Sequence, residues 1–416
     1  MKSRRANVAG YALAACALGL SLVSSGEVAA QSPRRTCWSA VPTIEGTRGN
    51  DRIRGTRGND VIMTFGGKDR VMGRGGFDAI CSGPGRDVLH GGPGSDAFET
   101  GAGRDVAYGG EGLDIMVEFT SDRFLAQGQT SRDNAEDRLH GGPQADLLFG
   151  EGGDDVLDGG RGRDGVWALT SNVPVVIDLS ADQMTSAEYG VDSLLSIENG
   201  YGSNYADLIT GDGGRNFLWG ADGSDTLQGG DGPDLLLSSI DGDTLDGGDD
   251  SMRDAVRMSL QEPTDANLQT GVIALREGGR EPDRTVGIED FIGSPFADTI
   301  TGSSTNNRLF GGGGNDYIDG AQGDDVLRGD GPFHPWFRRP YGKDFRGNDL
   351  LFGAEGDDRL DGGPKNDTCR TGETLRRCEQ GESTGSRSVE ASTSLASALS
   401  VHFAQRPLPW WAYRLP

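Results

Sequence analysis

Between residues 46 and 117 the chain repeats every nine residues without a slip. The units read GTRGNDRIR, GTRGNDVIM, TFGGKDRVM, GRGGFDAIC, SGPGRDVLH, GGPGSDAFE, TGAGRDVAY and GGEGLDIMV. The fourth place is always Gly, from Gly49 to Gly112, and the eighth is always apolar, from Ile53 to Met116. The sixth is always Asp: Asp51, Asp60, Asp69, Asp78, Asp87, Asp96, Asp105 and Asp114. A period this strict is the mark of stacked repeats, each too small to bury its apolar face alone. Gly serves where a turn demands backbone conformations that side chains resist. A three-residue strand with its middle side chain inward needs one apolar place per unit. Each unit therefore reads as a six-residue turn and a short strand. Two units make one flattened coil, and residues 18 apart lie above one another at sheet spacing, roughly 4.8 Å.

That stacking sets an electrostatic problem. Carboxylates brought so close repel one another, and a hard divalent cation with oxygen ligands removes the repulsion. Asp side chains and turn carbonyls are the donors that calcium favours. Composition agrees by exclusion. Gly, at 69 of 416 residues, falls far short of the third that a collagen period requires. The 34% hydrophobic content and net charge of −25 would suit a solvated acidic coil, but such a coil needs no phased apolar column. The same charge argues against nucleic acid or an anionic membrane as partner and points to cations.

The period recurs beyond residue 117. An insert at 118–131 is followed by RDNAEDRLH, GGPQADLLF, GEGGDDVLD and GGRGRDGVW, with Asp146, Asp155 and Asp164 at the sixth place. A third block from residue 202 carries Asp207, Asp225, Asp234 and Asp243. The fourth, residues 293–328, carries Asp298, Asp316 and Asp325, with Asn307 where a carboxylate is missing; the last carries Asp349, Asp358 and Asp367. Two segments between blocks resemble each other: Ile197 and Ile288 lie 91 residues apart, as do Asp207 and Asp298. This internal duplication reads as a β insert that covers a sheet end and returns to the repeats through an Ile-Glu turn, with a ligand-binding module as the alternative.

The expected organisation is a signal peptide at 1–30, an N-terminal cap and first block at 31–117, and an insert and second block at 118–167. A β insert and third block follow at 168–246, then the duplicated insert with the fourth and fifth blocks at 247–378, and a Ser-rich, aromatic-ended tail at 379–416. Lys2, Arg4 and Arg5 precede an apolar run and the small residues Val28, Ala29 and Ala30, the pattern of a cleaved export signal. A lipoprotein box at Cys16 is the competing reading. Export leaves Cys37, Cys81, Cys369 and Cys378, for which disulfides are the default, with three possible pairings; Cys369 and Cys378 are close enough in sequence to clip the last repeats, and Cys37 with Cys81 would staple the first ones. No CxxC pair supports zinc. HExxH, GxSxG and EF-hand patterns are missing, and His90 and His140 occupy the ninth place of their units, on an exposed edge.

The units match GGxGxDxUx and so resemble the RTX, or hemolysin-type, nonapeptide repeat. The opening Thr43, Ile44, Glu45, Gly46, Thr47 and the closing Asp367, Thr368, Cys369 are similar to secreted actinobacterial-type members. The resemblance covers most of residues 37–378. It implies an all-β parallel β-roll with Ca2+ between turns 18 residues apart, pairing Asp51 with Asp69 and Asp60 with Asp78, and so on along each edge. Together with the export signal, the missing catalytic motifs and the acidic charge, it points to a secreted, extracellular calcium-binding protein, not an enzyme, with cell-wall or extracellular glycan or protein as further partner, no nucleic acid and no stable membrane span. An extracellular polysaccharide-acting enzyme or an adhesin that uses such modules is the alternative. Many RTX toxins leave the cell through an uncleaved C-terminal signal, whereas this chain has an N-terminal one.

Overall fold

A computed structural model describes residues 37–117, 134–330 and 347–382, apart from positions 39, 170, 188, 240, 249–251, 259–261, 277–279, 364–365, 372–373 and 379. The export signal, the 118–131 insert and most of the tail expected from the sequence lie outside the described residues. Every regular element among the described residues is a β-strand. The chain divides into two compact units, one with the described residues of Met1–Ala168 and Ala181–Asn199, the other with those of Leu169–Ser180 and Gly200–Pro407.

In the first unit, odd-numbered repeats build one parallel ladder and even-numbered repeats another. Strands Ile44–Glu45, Val61–Met63, Ala79–Cys81, Ala97–Glu99, Ile115–Val117, Leu147–Phe149 and Gly165–Trp167 pair in that order. The second ladder runs Arg52–Arg54, Arg70–Met72, Val88–Pro93, Val106–Glu111, Arg138–Pro143, Val156–Arg161 and Gly190–Leu195. Ile62 pairs with Ile80 and Ile80 with Phe98, the 18-residue register of two units per coil. At the insert Ile115 pairs directly with Leu147, so those extra residues add no rung between the two strands.

The eighth-place side chains form the core. Ile62, Ile80, Phe98, Met116 and Leu148 on one ladder, with Val71, Leu89, Leu139 and Leu157 on the other, are wholly buried. Each such burial stabilises the coil by about 1.5–3 kcal/mol, and a coil has only two of them. Cys37 and Cys81 form a disulfide, Cα–Cα 5.8 Å, that fastens the N-terminal segment to strand Ala79–Cys81. It packs with Met63, Ala79, Trp38, Val61 and Phe65.

The second unit repeats the plan. One parallel ladder runs from Phe217–Trp219 through Leu235–Ser238, Ala255–Met258, Asp290–Ile292, Arg308–Gly312, Val326–Asp330 and Arg359–Asp361 to Thr374–Arg376. The other begins Val175–Asp178, Leu208–Thr210, Thr226–Gln228, Thr244–Asp246, Asp283–Val286. Here the duplicated insert departs from the expectation that it covers a sheet end. Asp283–Val286 pairs antiparallel with Val272–Leu275, and this with Thr264–Asn267. Thr264–Asn267 then pairs parallel with Thr299–Thr301. The insert is spliced into the ladder, because its outer strands offer a free backbone edge to the repeat on either side. Cys369 and Cys378 pair near the end of this unit, Cα–Cα 5.8 Å.

Candidate metal sites

The sixth-place Asp follows the six-residue turn and precedes the strand, so one coil sets it directly beneath the Asp of the next. Its Oδ1 accepts the backbone N–H of the sixth-place residue one coil earlier. Asp69 takes the amide of Asp51 at 2.8 Å, Asp78 that of Asp60 at 2.9 Å, Asp87 that of Asp69 at 2.7 Å and Asp96 that of Asp78 at 2.8 Å. Asp105 and Asp114 continue the two rows. They then reach across the insert, with Asp105 donating to Asp137 and Asp114 to Asp146, each at 2.7 Å. Asp155 and Asp164 follow.

In the second unit the rows link Asp207 to Asp225 and on to Asp243, and Asn216 to Asp234. A further pair of rows links Asp298, Asp316, Asp349 and Asp367, and Asn307, Asp325 and Asp358. Every candidate ligand from the sequence lies on one of these rows, and all but the half-buried Asp51 are buried.

The other carboxylate oxygen carries the chemistry. Oδ2 of Asp69, Asp78, Asp96, Asp114, Asp146 and Asp164 is buried and accepts no hydrogen bond; the same holds for Asp225, Asp316 and Asp325. The first-place Gly explains how it comes to lie against main chain. A Cβ on Gly73 would collide with Oδ2 of Asp78 and lie 2.8 Å from the carbonyl oxygen of Gly91 in the next coil. A carboxylate oxygen and a carbonyl oxygen therefore border the space that the missing Cβ leaves open. Burial leaves an ionised oxygen there without solvation, at a cost of several kcal/mol, so the site takes up a proton or a cation.

The acidities follow. Burial, opposed by the amide donated to each carboxylate, raises Asp78 to about 6 and Asp114 to about 7. Burial and then the charges of neighbouring carboxylates, namely Asp114 and Asp78, raise Asp96 to about 8. Asp146 reaches about 9 by burial, with Asp114 and Asp164 adding repulsion, and Asp316 reaches about 9 for the same kind of reason.

The donor set is oxygen only, which suits a hard cation such as calcium. Among the described residues no three His, Cys, Asp or Glu side chains converge as a metal-holding group. A cation at these turns must thus draw on backbone carbonyls as well as carboxylates. Cys37, Cys81, Cys369 and Cys378 are consumed in disulfides. His90, Tyr108 and His140 stack ring on ring along the ninth-place column, with centroids 4.7 and 5.0 Å apart, and His140 Nδ1 lies 3.2 Å from Asp158. Tyr108 is exposed and both His side chains are partly exposed on that edge.

Six carboxylates of the rows were not among the ligands expected from the sequence. Asp137 sits in RDNAEDRLH, which lacks Gly at the first, second and fourth places. Asp192 and Glu198 accept the amides of Asp155 and Asp164, at 3.0 and 2.8 Å. Asp283 and Glu289 accept those of Asp243 and Asp254, at 2.9 and 3.0 Å, and Asp254 accepts that of Asp234. The signal for four of them was the duplication, since Asp192 and Asp283, like Glu198 and Glu289, are 91 residues apart. The inserts thus carry the carboxylate rows as well as the strands.

The family model for the RTX calcium-binding nonapeptide repeat (4 copies) matches residues 45–80, 82–116, 133–166, 201–236, 219–251, 292–327 and 346–372, more than half of the chain. No curated protein matches the chain.

Proposed function

Because the chain belongs to the RTX calcium-binding nonapeptide repeat family, we propose that it is a secreted, non-enzymatic scaffold whose roll is completed by Ca2+ held between stacked Gly/Asp turns. The observation that carries this reading is the series of buried Oδ2 atoms without a hydrogen-bond donor. Asp69, Asp78, Asp96, Asp114, Asp146 and Asp164 in the first unit, and Asp225, Asp316 and Asp325 in the second, would hold the ions together with turn carbonyls. When bound, calcium supplies the positive charge that lets these carboxylates ionise inside the fold. With a core built mainly of one eighth-place side chain per repeat, the ion-free roll is only marginally stable, and binding to the native state alone draws folding with it. Two disulfides support an oxidising, extracytoplasmic setting. Among the described residues no helix is long and apolar enough to cross a membrane.

The extracellular role is interaction at a cell-wall, glycan or protein surface. Circular dichroism during a calcium titration tests the core of the reading, with a rise in β signal expected at about 10⁻⁴–10⁻³ M, the range of extracellular calcium modules. A spectrum unchanged by calcium and by EGTA would end it. Pull-down on cell walls and glycans tests the role at the surface, and an activity screen on acidic polysaccharides giving turnover would overturn the non-enzymatic part.

A further inference from the structure

Most repeat turns take one of two forms, and the difference lies at the second place. In most turns the second-place residue has positive φ, even where it is not Gly: Phe65 at 71°, Arg74 at 90°, Ala221 at 74° and Ala321 at 71°. A side chain in that region costs on the order of 1 kcal/mol or more, so the surroundings impose it. In these same turns Oδ2 of Asp69, Asp78, Asp225 and Asp325 has no donor.

Six turns differ. Thr47, Thr56, Ser203, Asp212, Ser294 and Ser303 occupy the second place, and none has positive φ. Instead each donates its amide to the sixth-place side chain of its own unit. Thr47 and Thr56 reach Oδ2 of Asp51 and Asp60 at 2.6 Å, and Ser294 reaches Oδ2 of Asp298 at 2.6 Å. Ser203 donates to Asp207 Oδ2 in the same way. Asp212 and Ser303 donate to Oδ1 of Asn216 and Asn307, at 2.8 and 2.7 Å.

The second-place side chain then accepts the fourth-place amide, as with Gly49 onto Thr47 at 3.1 Å and Gly58 onto Thr56 at 3.0 Å. Such a turn closes through its own hydrogen bonds. A seventh turn has a looser version, with Ser239 N 3.3 Å from Asp243 Oδ2.

Two further facts point the same way. The six turns are consecutive pairs, one coil each, and each pair opens a run of repeats: at residue 46, at residue 202 after the first insert, and at residue 293 after the second. Moreover, Asn216 and Asn307, which bring no negative charge to the sixth place, both fall in this class.

We propose that these three coils are calcium-free caps. Their second-place amides occupy the oxygen that would otherwise face a cation, so Asp51, Asp60, Asp207 and Asp298 hold no ion. Each run of ion-bearing turns starts one coil later, at Asp69 and Asp78, at Asp225, and at Asp316 and Asp325. Thr47, Thr56, Ser203, Asp212, Ser294 and Ser303 are the positioning residues that make the distinction. A hydrogen-bonded coil at the head of each run supplies a template on which ion-bearing coils stack. The proposal rests on the calcium reading above and narrows it.

The test is native mass spectrometry of the full secreted chain, stripped with EGTA and reloaded with calcium. One variant combines Asp51→Asn, Asp60→Asn, Asp207→Asn and Asp298→Asn; a second combines Asp78→Asn, Asp96→Asn, Asp225→Asn and Asp316→Asn. Asn keeps the acceptor that the turn needs, as Asn216 and Asn307 already do, so the cap variant is expected to fold. The cap variant should bind as many ions as the natural chain, and the second should lose at least two. Equal losses in both variants would overturn the cap assignment while leaving calcium binding intact. A natural chain that takes up no calcium would overturn the calcium reading itself.

Hydrogen exchange in EGTA gives a readout independent of ion counting. Peptides covering Thr47, Thr56, Ser203 and Ser294 should exchange at least tenfold more slowly than those covering Phe65 and Ala221. Equal rates would refute closure of the caps.

Discussion

Replacing Asp146 by Asn should stabilise the protein without calcium and weaken it with calcium. The Asn keeps the acceptor for the amide of Asp114, 2.7 Å away, and removes the charge. Asp146 is buried and its acidity is displaced from 3.8 to about 9, chiefly by burial and then by repulsion from Asp114 and Asp164. At pH 8 the folded chain must hold a proton there that the unfolded chain has released. At roughly 1.4 kcal/mol per pH unit over about four units, this costs on the order of 5 kcal/mol. Water entering as the turn loosens, and the titration shared with Asp114 and Asp164, reduce the single-site cost to about 2 kcal/mol.

Thermal unfolding of Asp146→Asn in EGTA at pH 8 should therefore show a Tm about 6 °C above the natural chain. At pH 5, only about one unit above the unfolded value of 3.8, the gain should shrink to below about 1 kcal/mol. In millimolar calcium the order should invert, because the natural chain gains a bound ion that the variant lacks. A variant with lower Tm in EGTA at pH 8, or one whose gain is the same at pH 5 and pH 8, would refute the buried-charge reasoning.

Three more outcomes are expected. The raised folded acidities of Asp78, Asp114, Asp96 and Asp146 give stability that is full below the unfolded value of 3.8 and is lost as pH climbs through about 6, 7, 8 and 9. Acid should thus substitute for calcium, with the β signal in EGTA falling steadily from pH 4 to pH 9; a signal that rises over this range contradicts it. Gly73→Ala puts a Cβ 2.8 Å from the carbonyl oxygen of Gly91, so calcium affinity should drop at least tenfold in a titration followed by circular dichroism, whereas Gly213→Ala, which meets nothing within 4 Å, should change little. Removing the 44-residue Cys37–Cys81 crosslink should cost about 4 kcal/mol in calcium-loaded denaturant melts, and the nine-residue Cys369–Cys378 crosslink about 2.5 kcal/mol, by loop-closure entropy; the reverse order would show that local packing outweighs loop length.

What recurs along the chain is legible in the sequence alone. Gly at the fourth place, Asp at the sixth and an apolar residue at the eighth dictate a turn, a ligand position and an inward side chain, and local backbone geometry follows from such chemistry. The pairing of Ile62 with Ile80 and the burial of Asp69 beside Asp87 follow from that period. The 91-residue duplication likewise marked Glu198 and Glu289 as equivalent. Their role as rungs was not legible, because a Glu in an irregular turn has no period to announce what its carboxylate meets.

Tertiary structure decided the rest. Of the three possible cysteine pairings, stacking placed Cys81 beside Cys37 and the last turn brought Cys378 back to Cys369, the pairing to which their places in the sequence pointed. The insert became part of the ladder because both of its outer strands found a backbone edge to pair with. The two kinds of turn differ in whether an amide points at a carboxylate. That goes with the backbone of one residue, whose φ is positive at Phe65 and Arg74 and not at Thr47 and Thr56. The nine-residue code determines where an oxygen stands; only the folded turn determines whether its own second-place amide already satisfies it, as at Asp60 and Asp298.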